Sequence, residues 1–286
     1  MSFEITTAMV QQYNENVVLL QQQKPSRLRA AVREERVQGE YGFFDQIDST
    51  AAQKRTQRHG DTPLISTPHV RRRVSMDAYD WADLIEQFDK ATLLTDPTSK
   101  YAVNAVAAHN RAIDDAIIAA FKATAYGGRD GTTTYTFPTS THQVAHGSAS
   151  LTLAKLLSAK EILDSYENDP DEPRFFAINA KQVSALLNTA EIKSADYNTV
   201  KALAAGQIDS FLGFKFIRTE RIPVASSVRS CFAWSQSSML LGIGTDIITR
   251  VSERDDKNYA TQVYVGMFIG ATRMDEKGVV EVQAKE

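Results

Sequence analysis

The chain has a single cysteine, Cys231, among its 286 residues, which excludes both an internal disulfide and a cysteine-rich zinc site. The neighbouring Phe232 and Trp234 predict that this thiol is buried. The sequence also lacks any apolar run of about 18 residues, and its first twelve residues carry no basic-then-apolar signal pattern. These absences predict a protein without a membrane partner, kept in a reducing cytoplasm or in a particle assembled there.

The chain has no excess of basic residues. Its 32 Lys and Arg residues are balanced by 35 Asp and Glu residues, which gives a formal net charge of −3. Nucleic-acid-binding domains are usually basic, so any basic function of this chain must be local. The hydrophobic content of 43% is sufficient for a substantial core, organised as one complex domain or as two smaller ones.

Motifs for catalysis are also absent. The sequence contains no GxSxG nucleophile elbow, no Walker phosphate-binding loop and no HExxH pair. The Gly242-Ile243-Gly244 segment lacks the third glycine and the following helix that a dinucleotide site requires. The sequence therefore predicts that the protein is not an enzyme and takes no cofactor.

Two weak metal-site patterns also occur. His142 and His146 are four residues apart, but the surrounding Thr, Ser and Gly residues predict a loop and no third ligand lies near in sequence. Asp169, Asp171 and Glu172 lie among prolines without the spacing of a calcium loop. We therefore expect no metal site at either position.

The strongest positive feature is a long alanine-rich helix predicted over residues 98–125. Asp96 supplies an N-cap acceptor and Pro97 a favourable first residue, while Tyr126-Gly127-Gly128 supplies residues that close the last turn. The helix would be a rod of about 28 residues and about 42 Å. Its apolar face is formed by Val103, Val106, Ile113, Ile117 and Phe121.

A basic strand and an acidic helix are predicted just before this rod. Residues 70–79 alternate as a half-buried strand that carries Arg71, Arg72 and Arg73, of which no more than two can share a surface. Residues 80–89 place Trp81 and Phe88 on one face of a short amphipathic helix, with acidic residues around the other. Ion pairing within or between subunits is therefore favoured over phosphate contact for the arginines.

The amino-terminal part of the chain predicts an appendage and a projecting loop. Residues 3–23 form an amphipathic helix that ends before Pro25. Residues 28–37 and 40–47 predict a hairpin joined through Gln38-Gly39. Residues 49–67 form a polar loop that carries Lys54, Arg55, Arg58 and His59, has almost no apolar content and needs a partner surface.

The rest of the chain changes from helix to strand. Helices are predicted over residues 151–167 and 181–187, with a buried strand over residues 174–179 between them. Further strands are predicted over residues 211–218, 230–234, 239–243, 247–251, 261–269 and 279–282. This order is typical of an α+β protein rather than an alternating α/β protein.

Residues 25–125 resemble the major capsid proteins of tailed bacteriophages with the Hong Kong 97-type fold. The resemblance lies in the hairpin that ends Gly42-Phe43-Phe44-Asp45-Gln46-Ile47, and in the approach through Thr62-Pro63 and Pro68-His69 to the three arginines. It continues through residues 81–89, Asp96-Pro97 to Tyr101, and Arg111-Ala112-Ile113-Asp114.

The resemblance implies an architecture and a set of partners. Residues 1–25 would be an amino-terminal arm, 26–79 an extended loop, 80–180 a peripheral domain with the spine helix 98–125, 181–251 an axial domain, and 252–286 strands returning to the peripheral domain. Subunits would form pentamers and hexamers of an icosahedral virion head, assembled in the host cytoplasm. The head would enclose double-stranded DNA contacted non-specifically, with a separate scaffolding protein, a portal and a cement protein as partners.

The residues predicted to lie in contacts between subunits come from the extended loop and the acidic segment after it. We expect no covalent crosslink, because no lysine and asparagine pair matches that of the family. The contact candidates are Arg55, Arg58, Arg71, Arg72, Arg73, Asp77, Asp83 and Glu86.

Two alternatives to a phage capsid protein are open at this point. An encapsulin shares the fold and the length, but it would enclose protein cargo and have an inner cargo-binding pocket. A soluble metal- or nucleic-acid-binding protein would stay a monomer or small oligomer, and it would lose binding when His142 or Arg72 is replaced.

Overall fold

A computed structural model describes residues 22–58, 61–62, 64–86, 98–166, 169, 171–187 and 210–286. The predicted helix over residues 3–23 lies outside these ranges except for its last two residues. The predicted helix start at Asp96-Pro97 lies outside them entirely. The fold is α+β, as predicted. The predicted axial domain, residues 181–251, lies partly outside the described residues, and its boundaries stay a prediction.

The chain forms two compact units. The first contains the described parts of residues 1–25, 78–111 and 245–267, and the second contains those of residues 26–77, 112–244 and 268–286. Among the described residues the helices are α1 (Thr98–Lys122), α2 (Leu153–Asp164) and α3 (Ala180–Leu187), with 3-10 turns at Arg29–Ala31 and Gln236–Ser238. The strands are β1 (Arg33–Arg36), β2 (Tyr41–Ile47), β3 (His69–Ser75), β4 (Asp77–Ile85), β5 (Ala125–Gly127), β6 (Thr133–Tyr135), β7 (Gln143–Val144), β8 (Arg174–Ile178), β9 (Ser210–Phe211), β10 (Phe214–Arg218), β11 (Val224–Ala225), β12 (Val228–Ser235), β13 (Met239–Arg254), β14 (Ala260–Arg273) and β15 (Val279–Lys285).

The long helix α1 confirms the strongest sequence prediction, and its 25 residues span about 37 Å. Its predicted apolar face is buried at Ile113, Ile117 and Phe121, which are at most 1% exposed. The prediction is wrong for Val103, which is 45% exposed, and Val106 is half-buried. The helix ends at Lys122, three residues earlier than predicted. The predicted closing turn is wrong in its detail, because residues 125–127 pair with β3 and β6 as strand β5.

Close backbone approach explains one glycine of β5. A Cβ atom at Gly127 would lie 2.1 Å from the carbonyl oxygen of Arg71 on the neighbouring strand β3. Only a residue without a side chain lets the two strands meet at this distance. The glycine that the sequence suggested as a helix terminator is therefore required for a strand pairing.

The core of the second unit lies around a seven-stranded sheet of order β7-β15-β12-β8-β10-β9, with β11 paired to β12. Strand β8 is buried at all five positions and pairs with β10 in parallel and with β12 antiparallel, as its uninterrupted apolar character predicts. Burial of Cys231 on β12 is confirmed, and it raises the pKa of the thiol to about 12. The residues of this core include Leu156, Leu163, Phe176, Phe214, Val280 and Val282.

The predicted hairpin between residues 28–37 and 40–47 is wrong. Strand β1 pairs in parallel with β13, where Arg33 faces Leu240, and β2 pairs antiparallel with β3. The chain turns at Gly39, whose φ is +95°, and passes from one sheet to another. Val37, 5% exposed, packs against both Gly242 of β13 and Gly42 of β2.

The predicted acidic helix over residues 80–89 is also wrong in its described part. Residues 77–85 form strand β4 at the edge of a four-stranded sheet of order β1-β13-β14-β4. Tyr79, Trp81, Asp83 and Ile85 are buried or half-buried and alternate with exposed neighbours, which is the period of a strand. Hydrogen bonds from the long strand β14 favour this period over the helical one, and residues 87–89 lie outside the described ranges.

The third sheet has the order β2-β3-β5-β6 and carries the three consecutive arginines on β3. Its register places Asp45 opposite Arg71 and Phe43 opposite Arg73. Between β2 and β3 the chain makes the long connection that the sequence predicts, and every described residue in 48–68 is exposed and outside any helix or strand. This sheet and its loop contain most of the predicted contact residues.

Candidate assembly surface

Arg71 projects from the outward face of β3 and is neutralised by its own chain. Its Nε lies 2.6 Å from Asp45 Oδ1 and its Nη2 lies 3.1 Å from Asp45 Oδ2. The hydrogen bond with Arg71 holds the pKa of the Asp45 carboxyl below its ordinary value and raises the pKa of the guanidinium. Both side chains are exposed, so this pair stabilises the subunit only weakly. It nevertheless neutralises the charge of Arg71 within its own subunit.

Arg72 points to the opposite face and is 4% exposed. It donates from Nε to the carbonyl of Met274 at 3.0 Å and from Nη2 to Glu276 at 2.5 Å, and its guanidinium lies 3.6 Å from the centre of the Tyr135 ring. This side chain therefore joins β3 to the turn between β14 and β15. Of the three arginines it is the least suited to a contact between subunits.

A second buried arginine extends this network. Arg273 is fully buried and donates to the carbonyls of Phe121 and Ala123, where α1 ends, and to that of Tyr135. Its Nε lies 3.4 Å from Glu276, so one carboxylate serves both Arg72 and Arg273. The network ties the end of the long helix to the base of the β2–β3 hairpin, and sequence reasoning missed it because its partners are far apart along the chain.

Arg73 shares the outward face with Arg71 but makes different contacts. Its guanidinium lies 4.7 Å from the ring centre of Tyr41 and 4.8 Å from that of Tyr126. The structure records no ion pair and no hydrogen bond for its side chain among the described residues, and its Nε is buried without a partner. Sequence reasoning missed both aromatic partners, because it places Tyr41 in a hairpin with residues 28–37 and Tyr126 in the closing turn of the long helix.

The described part of the predicted basic loop between β2 and β3 makes few contacts with the rest of the described chain. Arg55 donates to the carbonyl of Gln57 at 2.9 Å, and Arg58 is exposed. Leu64 is 94% exposed, and Ile47 at the end of β2 is 69% exposed. Two large apolar side chains are therefore exposed in or beside this connection.

The acidic candidates lie on or beside strand β4. Asp77 and Glu86 are exposed and form no ion pair among the described residues, while Asp83 is half-buried and accepts from the backbone N–H of Leu84 at 2.8 Å. They do not pair with Arg71 or Arg72 of the same chain, whose partners are Asp45 and Glu276. The structure therefore leaves Arg73, Asp77 and Glu86 as charged groups available to a partner.

The weak metal-site patterns have local structural roles. His142 is 3% exposed, stacks on Tyr166 at 5.0 Å between ring centres and has its Nδ1 2.8 Å from Thr141 Oγ1. His146 Nδ1 accepts from the backbone N–H of Ser148. The part of the chain that the structure describes contains no group of three or more His, Cys, Asp or Glu residues that could hold a metal ion. None of its helices is long and apolar enough to cross a membrane.

The architecture recurs in the shells of several phages. The capsid of the cyanophage P-SCSP1u is 16% identical, with a TM-score of 0.74 over 98% of this chain and 94% of that chain. The capsid of Ralstonia phage GP4 is 9% identical, with a TM-score of 0.74 over 97% and 95% of the two chains. The capsid of the cyanophage Pam1 is 13% identical, with a TM-score of 0.71 over 99% and 98%. The fold is thus the Hong Kong 97-type capsid fold over nearly the whole chain.

The family follows from the sequence comparison. A model of the phage capsid protein family matches residues 5–286, and the chain belongs to this family. It is the major capsid protein of a tailed bacteriophage, a structural component of the virion that associates with its own copies, and the encapsulin alternative is not favoured. No curated protein sequence matches the chain.

Proposed function

We propose that this subunit forms hexamers and pentamers that close into an icosahedral head around double-stranded DNA. Assembly takes place in the host cytoplasm, with a separate scaffolding protein, a portal and a cement protein. Family membership over residues 5–286 and the shell structures of the same fold support this proposal. The structural role of the family also supports a protein without enzymatic activity.

The observation that carries the proposal is the exposed connection between β2 and β3. All described residues in 48–68 are exposed, including Leu64 at 94%, and no helix or strand holds them in place. A segment of this length gains order only by contact with another surface, because it buries too little of its own apolar area to offset its conformational entropy. A neighbouring subunit in a shell supplies such a surface.

The contact residues of this proposal are Arg55 and Arg58 in the connection, Arg73 on β3, and the acidic residues Asp77, Asp83 and Glu86 on or beside β4. The charge of Arg71 is already used by Asp45 within its own subunit. Arg72 has its partners inside its own subunit and stabilises the fold. Replacing all three consecutive arginines would therefore damage the subunit as well as the shell. The division into arm, extended loop, peripheral domain and axial domain stays part of this proposal, and the likeness to capsid structures over nearly the whole chain supports it.

DNA contact in this proposal is non-specific and weak. The chain carries a net charge of −3, so it lacks the basic field that drives tight binding to phosphate. The shell would confine the genome more than bind it.

The test is electron microscopy and sedimentation of the purified protein, alone and with the scaffolding protein of the same phage. We expect closed shells or ring-shaped capsomers. A matched variant replaces residues 49–67 with Asn-Gly, a turn that suits the antiparallel pair β2–β3. This variant should keep the thermal unfolding temperature of the subunit and lose shells. A wild-type protein that stays monomeric with scaffold supplied would contradict the proposal, and shells that hold protein cargo instead of DNA would favour an encapsulin.

A further inference from the structure

Arg73 differs from the two arginines that precede it because its charge is not used within the subunit. Asp45 neutralises Arg71 and Glu276 neutralises Arg72. Arg73 forms no ion pair with any carboxylate of the described residues, and its buried Nε has no hydrogen-bond partner among them. A buried unpaired N–H group costs free energy unless a partner satisfies it on binding.

The side chain of Arg73 is also held in position. Tyr41 and Tyr126 lie on either side of its guanidinium at 4.7 and 4.8 Å, and the β5–β6 turn packs so closely that a Cβ atom at Gly131 would lie 2.8 Å from Arg73 Cδ. A guanidinium stacked between aromatic faces keeps its N–H groups free at its edge, where a carboxylate binds in a bidentate manner. Little conformational entropy is lost when a partner arrives.

The surface around Arg73 is suited to protein rather than to nucleic acid. Tyr41, Phe43 and Tyr126 are 43, 45 and 39% exposed on the same face of the sheet. Exposed tyrosine and arginine side chains are the residues that dominate binding energy in protein interfaces.

The same chain carries a complementary surface. The segment from Asp77 to Glu86 contains four carboxylates and no basic residue, and Asp77 and Glu86 are exposed and unpaired among the described residues. Leu84 beside them is 43% exposed, which provides apolar area for the aromatic rings. Strand β4 lies at the edge of its sheet, so it is accessible to a second molecule.

We propose that Arg73 binds the carboxylate of Asp77 or of Glu86 in a second copy of this chain, with Tyr41 and Tyr126 holding the guanidinium in place. This inference rests on the proposed shell assembly and names the charged contact that fixes the relative position of two subunits. It also replaces the prediction that all three arginines contribute equally to such contacts.

The test is a charge-reversal series measured as the fraction of protein that sediments as shells. Arg73→Glu should lower the assembled fraction about tenfold or more, because like charges in an interface cost enough to change affinity by that factor. Arg71→Gln is the matched control on the same face and should assemble as the wild type does, since its charge is already neutralised by Asp45. Asp77→Arg or Glu86→Arg, combined with Arg73→Glu, should restore assembly to within about threefold of the wild type.

The outcomes separate this inference from the proposed function. Failure of the wild-type protein to form shells would overturn the proposed function. Normal assembly of Arg73→Glu would overturn only the Arg73 contact. Failure of both acidic reversals to restore assembly would also overturn it. Normal shells that no longer retain DNA would assign Arg73 to nucleic acid instead. Asp77→Arg and Glu86→Arg alone leave the packing of Arg73 intact, and one of them must lower assembly even if Arg73→Glu proves unstable.

Discussion

The carboxylate of Asp114, on the long helix α1, accepts a hydrogen bond of 2.6 Å from Ser26 Oγ. It also accepts from the backbone N–H groups of Arg27 and Leu28 at 3.1 and 3.0 Å. Asp114 is fully buried, so these donors replace the water that the charge has lost. A single side chain thus fixes the point where the chain leaves residues 22–25 and enters the 3-10 turn before β1.

We expect Asp114→Asn to lower the free energy of unfolding by about 1–3 kcal/mol, because the neutral amide weakens every one of these hydrogen bonds. The adjacent Asp115 provides a matched control. It pairs with Arg221 at the surface and is 48% exposed, so Asp115→Asn should cost about 0–1 kcal/mol. Urea denaturation of both variants measures the difference. Equal losses would show that the buried carboxylate is not a stabilising anchor.

The long helix illustrates what the sequence could predict. The period of Ile113, Ile117 and Phe121 specifies a helix face without knowledge of its partners, and that face is buried as expected. Residues 80–85 illustrate the opposite case. Trp81, Leu84 and Ile85 fit a helical face, while Tyr79, Trp81 and Ile85 fit a strand face, and pairing with β14 almost 200 residues later decides between them.

The assembly surface could be predicted only in part for the same reason. Strand alternation correctly separates Arg72 from Arg71 and Arg73, because neighbouring residues on a strand point to opposite faces. It does not identify Met274 and Glu276, which lie about 200 residues further along the chain and hold Arg72 in the interior. Nor does it identify Tyr126, which reaches Arg73 only because β5 pairs with β3.

Arg72 should therefore be a stability residue. We expect Arg72→Ala to lower the free energy of unfolding by about 3 kcal/mol, since it removes a buried partner of Glu276 and leaves the Met274 carbonyl without a donor. Arg71 is the preceding residue but lies on the exposed face of the strand, so Arg71→Ala should leave the urea midpoint nearly unchanged. A comparison of the two midpoints checks this prediction, and a stable Arg72→Ala subunit that fails only in assembly would contradict it.

Burial of His142 should make stability depend on pH near neutrality. Loss of solvent lowers the pKa of this imidazole, with Arg273 acting in the same direction and Asp275 and Glu276 opposing it. The unfolded chain therefore binds a proton more readily, and stability should fall as the pH drops below about 6.5. Thermal unfolding between neutral and mildly acidic pH measures this slope.

The matched variants for this slope are His142→Phe and His146→Gln. The first keeps a ring to stack on Tyr166 and removes the titrating group, so its slope above pH 5 should be flatter than that of the wild type. The second is the matched control: it removes a half-buried imidazole whose contact among the described residues is the nearby Ser148 N–H, and it should keep the wild-type slope. An unchanged slope in His142→Phe would assign the pH dependence to other groups.

Glu286 should act in a lower pH window. Its carboxylate accepts hydrogen bonds from Arg229, Lys181 and Asn179, and Arg229 is the main cause that lowers its pKa from 4.5 to about 2. The folded state thus holds this proton less tightly than the unfolded chain, so the stabilisation is complete above pH 4.5 and is lost as the pH falls towards 2.

Glu286→Gln should be less stable than the wild type at neutral pH and should show a flatter decline below pH 4.5. Glu161→Gln, an exposed change on α2 without an ion pair in the described residues, is the control and should keep the wild-type decline. Parallel curves for Glu286→Gln and the wild type would show that the Arg229 contact does not contribute to acid stability.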